Sequence, residues 1–115
     1  MNDTELSAYR AKLEARRDEL RALSSGAKAS RKPVELDQQS VGRLSRQDAL
    51  QQQAMANAQE ARRVHEQRKI EAAIKRIDER EYGWCAECGE AIAPKRLEID
   101  LTAVLCAPCA GGARP

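Results

Sequence analysis

The sequence predicts a mostly α protein, an antiparallel two-helix coiled-coil hairpin followed by a small C-terminal four-cysteine module. Three observations predict it. The chain has 115 residues, and aromatic residues make up only 3% of them while charged residues make up 33%. A single globular core of that length is normally built from large side chains, so long helices packed along a narrow seam suit this composition better. Two long stretches carry apolar residues at helical spacing, and one of them runs from residue 45 to 81 without Gly or Pro. All four cysteines lie near the C-terminus, as Cys85, Cys88, Cys106 and Cys109.

The first helix is expected over about 4–24, with Asp3 or Thr4 as its cap and Glu5 in the favourable first turn. Leu6, Leu13 and Leu20 take one heptad position, and Tyr9 and Leu23 take the other, interrupted by Arg16. Ser24, Ser25 and Gly26 end it. A loop or tip follows over about 25–44, where Gly26, Pro33 and Gly42 break the pattern and Val34, Leu36, Val41 and Leu44 are the apolar points. The second helix is expected over about 45–81, about 55 Å long at 1.5 Å per residue. Ser45 and Asp48 read as its capping box. Leu50, Ala54, Ala58, Ala61 and Val64 suggest a thin stripe, and Ile70, Ile74 and Ile77 a stronger one. Tyr82, Gly83 and Trp84 break the helix just before the first cysteine pair, which sets the expected domains at 1–81 (hairpin) and 82–115 (cysteine module).

The cysteines read Cys-Ala-Glu-Cys, a gap of 17 residues, then Cys-Ala-Pro-Cys. That interval is the spacing of a four-cysteine zinc finger. A two-residue gap lets each pair form a tight turn that aims both sulfurs at one ion, and Gly89 after Cys88 supplies a permissive backbone. With four protein ligands the ion has no open position, so one structural Zn2+ is expected. Redox dithiols would need a strand–helix junction that the sequence does not offer. The N-terminal residues contain no apolar signal segment, and no apolar run is long enough to span a membrane. The expected location is therefore cytoplasmic, where clustered thiols bind metal rather than pair as disulfides. Trp84, Ile92, Leu97, Ile99, Leu101, Val104 and Leu105 are the expected small core around the ion, and Lys95 and Arg96 read as solvated surface.

Net charge is +2. In the cysteine module Lys95, Arg96 and Arg114 face Glu87, Glu90, Glu98 and Asp100, and a metal–thiolate centre adds further negative charge. A sequence-reading DNA finger carries the opposite sign. His65 lies among charged neighbours in the second helix and reads as a surface residue. No nucleophile–base pair, phosphate-cradling glycine loop or carboxylate pair is recognisable, so no catalytic residues and no enzymatic activity are expected.

The stretch from Ile74 through Glu79-Arg80-Glu81-Tyr82-Gly83-Trp84-Cys85-Ala86-Glu87-Cys88-Gly89 resembles the equivalent region of the DksA/TraR family. So do Ile92-Ala93-Pro94-Lys95-Arg96-Leu97-Glu98 and Thr102-Ala103-Val104-Leu105-Cys106-Ala107-Pro108-Cys109. The resemblance is specific over about 66–109 and only architectural over 1–40. It implies a transcription regulator that binds bacterial RNA polymerase directly, with the coiled-coil tip entering the secondary channel and without recognition of DNA sequence. The best-known members act with ppGpp, so the resemblance also implies a ppGpp contact at the polymerase interface. By the same resemblance the polymerase-contact tip would be Arg43, Leu44, Ser45, Arg46 and Asp48. Well-studied members carry two tip aspartates three residues apart and an alanine two further on. Counting back from Cys85 places Gly42, Ser45 and Gln47 at those positions, with Asp48 one residue beyond. The C-terminal helix of longer members has no counterpart in the six residues after Cys109. A zinc-stabilised helical module with a different protein partner is the alternative.

Overall fold

A computed structural model of the chain describes residues 1–28 and 43–112. Among the described residues there are four helices: α1 (Asp3–Gly26), α2 (Arg43–Asp78), α3 (Pro94–Ile99) and α4 (Ala107–Ala110). Among the described residues the only β pairing is an isolated antiparallel bridge between Trp84 and Ala91. The fold class is the expected one, a mostly helical chain with a two-helix hairpin and a cysteine cluster after it.

The chain divides into two compact units. The first contains Met1–Asp18 and Gln67–Pro115, and the second contains Glu19–Glu66.

In the first unit, α1 starts one residue earlier than the sequence suggests. The cap is Asn2, whose Oδ1 accepts from the Glu5 N–H at 2.8 Å, so Asp3 and Glu5 both fall in the first turn. Leu6, Leu13, Ile70, Ala73 and Ile77 are buried. Arg10 pairs with Asp78, and Arg80 donates to Asp3 at 2.6 Å on the surface. The Tyr9 and Tyr82 rings meet at 5.5 Å and 50°, a tilted aromatic contact.

The end of α2 corrects the expected boundary at 81. The helix stops at Asp78, and Arg80 takes a left-handed backbone with φ 60°. The Glu81 N–H reaches the Arg76 carbonyl at 2.8 Å, and the Arg80 N–H reaches the Ile77 carbonyl at 3.1 Å. This is a Schellman termination, with arginine where glycine is usual. The boundary lies at the residue that adopts positive φ rather than at Tyr82-Gly83-Trp84.

In the second unit, Leu20 is buried but Leu23 is 49% exposed. The seam passes to Ser24 instead, whose hydroxyl donates to Glu60 Oε1 at 2.6 Å. Arg63 pairs with Glu60 at 3.4 Å, and both side chains are less than one-fifth exposed. The Leu50–Ala54–Ala58–Ala61–Val64 stripe is not the seam, because its first four residues are exposed and only Val64 is half-buried. Counting back from Ile70 by sevens gives Arg63, Ala56 and Ala49. Counting back from Ile74 gives Gln67, Glu60, Gln53 and Arg46. Every one of these is half-buried. The isoleucines therefore set a heptad register that the helix keeps after its apolar residues run out.

Candidate metal centre

Each cysteine pair sits on a local structure that its own sequence builds. In the first, the Cys85 N–H donates to the Glu90 carbonyl at 2.8 Å, and the Gly89 N–H returns to the Cys85 carbonyl at 3.0 Å. Gly89 has φ 74°, the left-handed conformation a side chain would resist. The Ile92 N–H closes the hairpin on the Gly83 carbonyl at 2.8 Å. In the second, Cys106 precedes α4 in extended conformation and Pro108 lies in the first turn, which suits proline's missing donor. The Ala110 N–H bonds the Cys106 carbonyl at 2.9 Å, so Cys109 is carried on a short fixed helix. The Ala86 N–H to Val104 carbonyl bond, 2.8 Å long, ties the two pairs together.

The intervening chain is held with equal economy. Pro94 starts α3, and Leu97 on that helix is fully buried. Asp100 accepts from both the N–H and the hydroxyl of Thr102, at 3.1 and 2.9 Å. Tyr82 donates its hydroxyl to the Leu101 carbonyl at 2.6 Å. Burial first, and then the neighbouring Tyr9 and Asp100, push the Tyr82 phenol well above its ordinary range, so it stays a donor.

The result is a cluster in which the four sulfurs all lie within 4.8 Å of one another. Cys85 and Cys106 are buried, Cys88 and Cys109 half-buried, and none is in a disulfide. The Cys88 and Cys106 sulfurs are 3.7 Å apart. A tetrahedral ion with metal–sulfur bonds of about 2.3 Å requires sulfurs about 3.8 Å apart, so the residues present fit zinc. The backbone N–H of Cys88, and then those of Cys106 and Glu87, pull the Cys85 thiol down to about 6 against its burial. Burial, and then the adjacent sulfurs, push the Cys109 thiol up. One thiolate is thus favoured and further ones repel it, a conflict that a divalent cation removes.

The core around the cluster differs from the expected one. Ile92, Leu97 and Ala103 are buried together with Tyr82, Cys85 and Cys106. Trp84 is 45% exposed, Ile99 88% and Val104 39%. Seven large apolar residues are more than so short a module has room to cover. Arg96, expected as solvated surface, instead donates its Nε to the Leu105 carbonyl at 2.9 Å.

The family model of the prokaryotic dksA/traR C4-type zinc finger matches residues 80–114. Residues 80–114 are a zinc finger of the DksA/TraR kind. It is 29% identical, over 95% of its own length and 71% of the other's, to the RNA polymerase-binding transcription factor DksA of Salmonella typhimurium. A match to the protein of the same name in Haemophilus influenzae is 48% identical over 42 residues, 36% of this chain and 29% of that one. The structure of transcription factor DksA2 from Pseudomonas aeruginosa superposes with a TM-score of 0.80, at 25% identity, covering 98% of this chain and 85% of that one. As in the DksA/TraR zinc fingers, the cysteine module holds one structural zinc.

The residues expected at the tip lie at the start of α2. α2 begins at Arg43, two residues before the expected cap, so Ser45 and Asp48 lie inside the helix rather than forming a capping box. Arg43 and Leu44 are good helix formers and extend the helix past Ser45. Ser45 and Asp48 are exposed and Arg46 is half-buried. The expected loop at about 25–44 is shortened at both ends, since α1 runs to Gly26 and α2 starts at Arg43; its residues 29–42, including Gly42, and the side chains of Arg43 and Leu44 lie outside the described residues. His65 is exposed on α2, as expected.

Proposed function

We propose that this chain regulates transcription by binding bacterial RNA polymerase, with the turn end of the α1–α2 hairpin entering the secondary channel. The observation that carries the reading is the alignment of 95% of the chain with a relative named as an RNA polymerase-binding transcription factor. In this reading the functional division is a hairpin over 1–81 and a zinc finger over 82–115. Cys85, Cys88, Cys106 and Cys109 are the zinc ligands, supported by their tetrahedral spacing. Arg43, Leu44, Ser45, Arg46 and Asp48 meet polymerase, and ppGpp joins at the interface. The protein acts by contact rather than catalysis, in the cytoplasm; no helix among the described residues is long and apolar enough to cross a membrane.

The absence of the paired aspartates makes Asp48 the acidic group among the five proposed contact residues. Photocrosslinkers placed at residues 46 and 48 should label core RNA polymerase, and addition of the protein should change transcript yield in a purified system. ppGpp should enlarge that change. Failure to bind polymerase at micromolar protein sinks the reading and leaves a zinc-stabilised module with another protein partner.

A further inference from the structure

Arg76 lies in the last turn of α2, and its side chain is only 19% exposed. Its Nη2 donates to two backbone carbonyls past the helix end, Glu81 at 3.1 Å and Trp84 at 2.8 Å. The Trp84 carbonyl is one side of the peptide bond whose other side is the Cys85 N–H. That N–H is already committed to Glu90 at 2.8 Å. The peptide entering the first sulfur is therefore held from both sides, once by the hairpin and once by a charged donor. Charge-assisted bonds of this kind are stronger than neutral ones.

The electrostatics agree with the geometry. Arg76, Trp84, Cys85 and Ala86 line one cavity of about 310 Å³, together with Arg80 and Glu81. Four thiolates and a divalent ion leave a net charge of −2. Glu81, Glu87 and Glu90 flank the first pair in sequence and offer nothing to offset it. Of the two cations at the cavity, Arg80 is mostly exposed and turned to Asp3, whereas Arg76, although 3.8 Å from the Glu81 carboxylate, is the one that bonds the Trp84 carbonyl entering the cysteine knuckle.

We propose that Arg76 is a positioning residue for the metal, fixing the Cys85 knuckle and offsetting the charge of the zinc–thiolate centre. This rests on the four cysteines being the ligands. The zinc-loaded full chain is titrated against a chromogenic chelator, and helix content is followed by circular dichroism. Arg76→Met should weaken zinc retention about tenfold, the usual scale for an outer-shell partner of a metal ligand, with helix content unchanged. Arg76→Lys should stay near wild type, because a single nitrogen makes both carbonyl contacts. Arg80→Met, which removes the other cation at the cavity, should also stay near wild type. Cobalt-substituted Arg76→Met should show a shifted d–d spectrum, reporting altered sulfur geometry. Wild-type zinc retention in Arg76→Met overturns the inference, as do equal losses in Arg76→Met and Arg80→Met. Wild-type protein that binds no zinc overturns the ligand assignment itself, a result distinct from the other two.

Discussion

Around Leu13 the hairpin is closed by hydrocarbon: Leu6, Leu13, Ile70, Ala73 and Ile77 are all buried, and the Tyr82 ring makes a tilted contact with Tyr9. Around Glu60 the same two helices present Ser24, Gln53, Glu60 and Arg63 at the equivalent heptad positions, with Leu20 the last buried apolar residue. Burying a large aliphatic side chain contributes about 1.5–3 kcal/mol, whereas a typical intramolecular hydrogen bond contributes about 0.5–1.5 kcal/mol net. A heptad register can therefore be kept by polar residues, but at lower stability. The first unit, which also contains the zinc finger, should open last, and the second should open at lower free energy.

The sharpest way to break the contrast is to remove the metal. Cys106→Ser, or exhaustive chelation, should unfold the cysteine module while leaving most helical signal, because structural zinc supplies the folding free energy of so small a unit. Trp84 is the only tryptophan, so its emission should shift to the red. An unchanged Trp84 spectrum in zinc-free protein would mean that the first unit does not depend on its metal.

The next effect is smaller and compares two leucines of one helix. Leu13 is completely buried, and Leu13→Ala should cost about 2–5 kcal/mol in denaturant unfolding. Leu23→Ala should cost under about 0.5 kcal/mol, since half of Leu23 is already in water. Equal costs would contradict the assignment of the seam to Ser24. Tyr82→Phe removes the donor to the Leu101 carbonyl and should cost about 1–2 kcal/mol, with the zinc content unchanged. The smallest effect is expected from Ser24→Ala, about 0.5–1 kcal/mol, and confined to the second unit. Hydrogen exchange should show faster opening of amides in 46–60 and little change in 67–77.

Much of this was legible in the residues. The leucines of α1 and the isoleucines of α2 announce a hairpin because helical periodicity is local. The two cysteine pairs announce a tetrahedral site because their spacing matches zinc geometry. What misled the reading of the second unit was the assumption that a seam must be apolar. Leu50 and Ala54 are apolar yet exposed, whereas the register inherited from Ile70 and Ile74 puts Gln53 and Glu60 inward beside Ala49 and Ala56. Extending that heptad without regard to polarity would have found them. The N-cap at Asn2 was equally readable, as asparagine caps as well as aspartate or threonine.

Other features had no sequence signal. Nothing local marks Arg80 as the residue that turns left-handed, since glycine is the usual choice and Gly83 stands three residues on. The bond from Tyr82 to Leu101, and those from Arg76 and Arg96 to the carbonyls of Trp84 and Leu105, join positions that come together only on folding. The exposure of Trp84, Ile99 and Val104 depends on how much surface the short module can cover.

The sequence by itself determined the two helices, their leucine–isoleucine seam and the four-sulfur site, because periodicity and ligand spacing are properties of neighbouring residues. The tertiary structure alone decided which polar residues close the second unit, which large side chains stay in water and which arginine faces the cysteine knuckle. Those outcomes depend on competition for limited buried space and on backbone carbonyls left free at helix ends, and neither exists until the elements have packed.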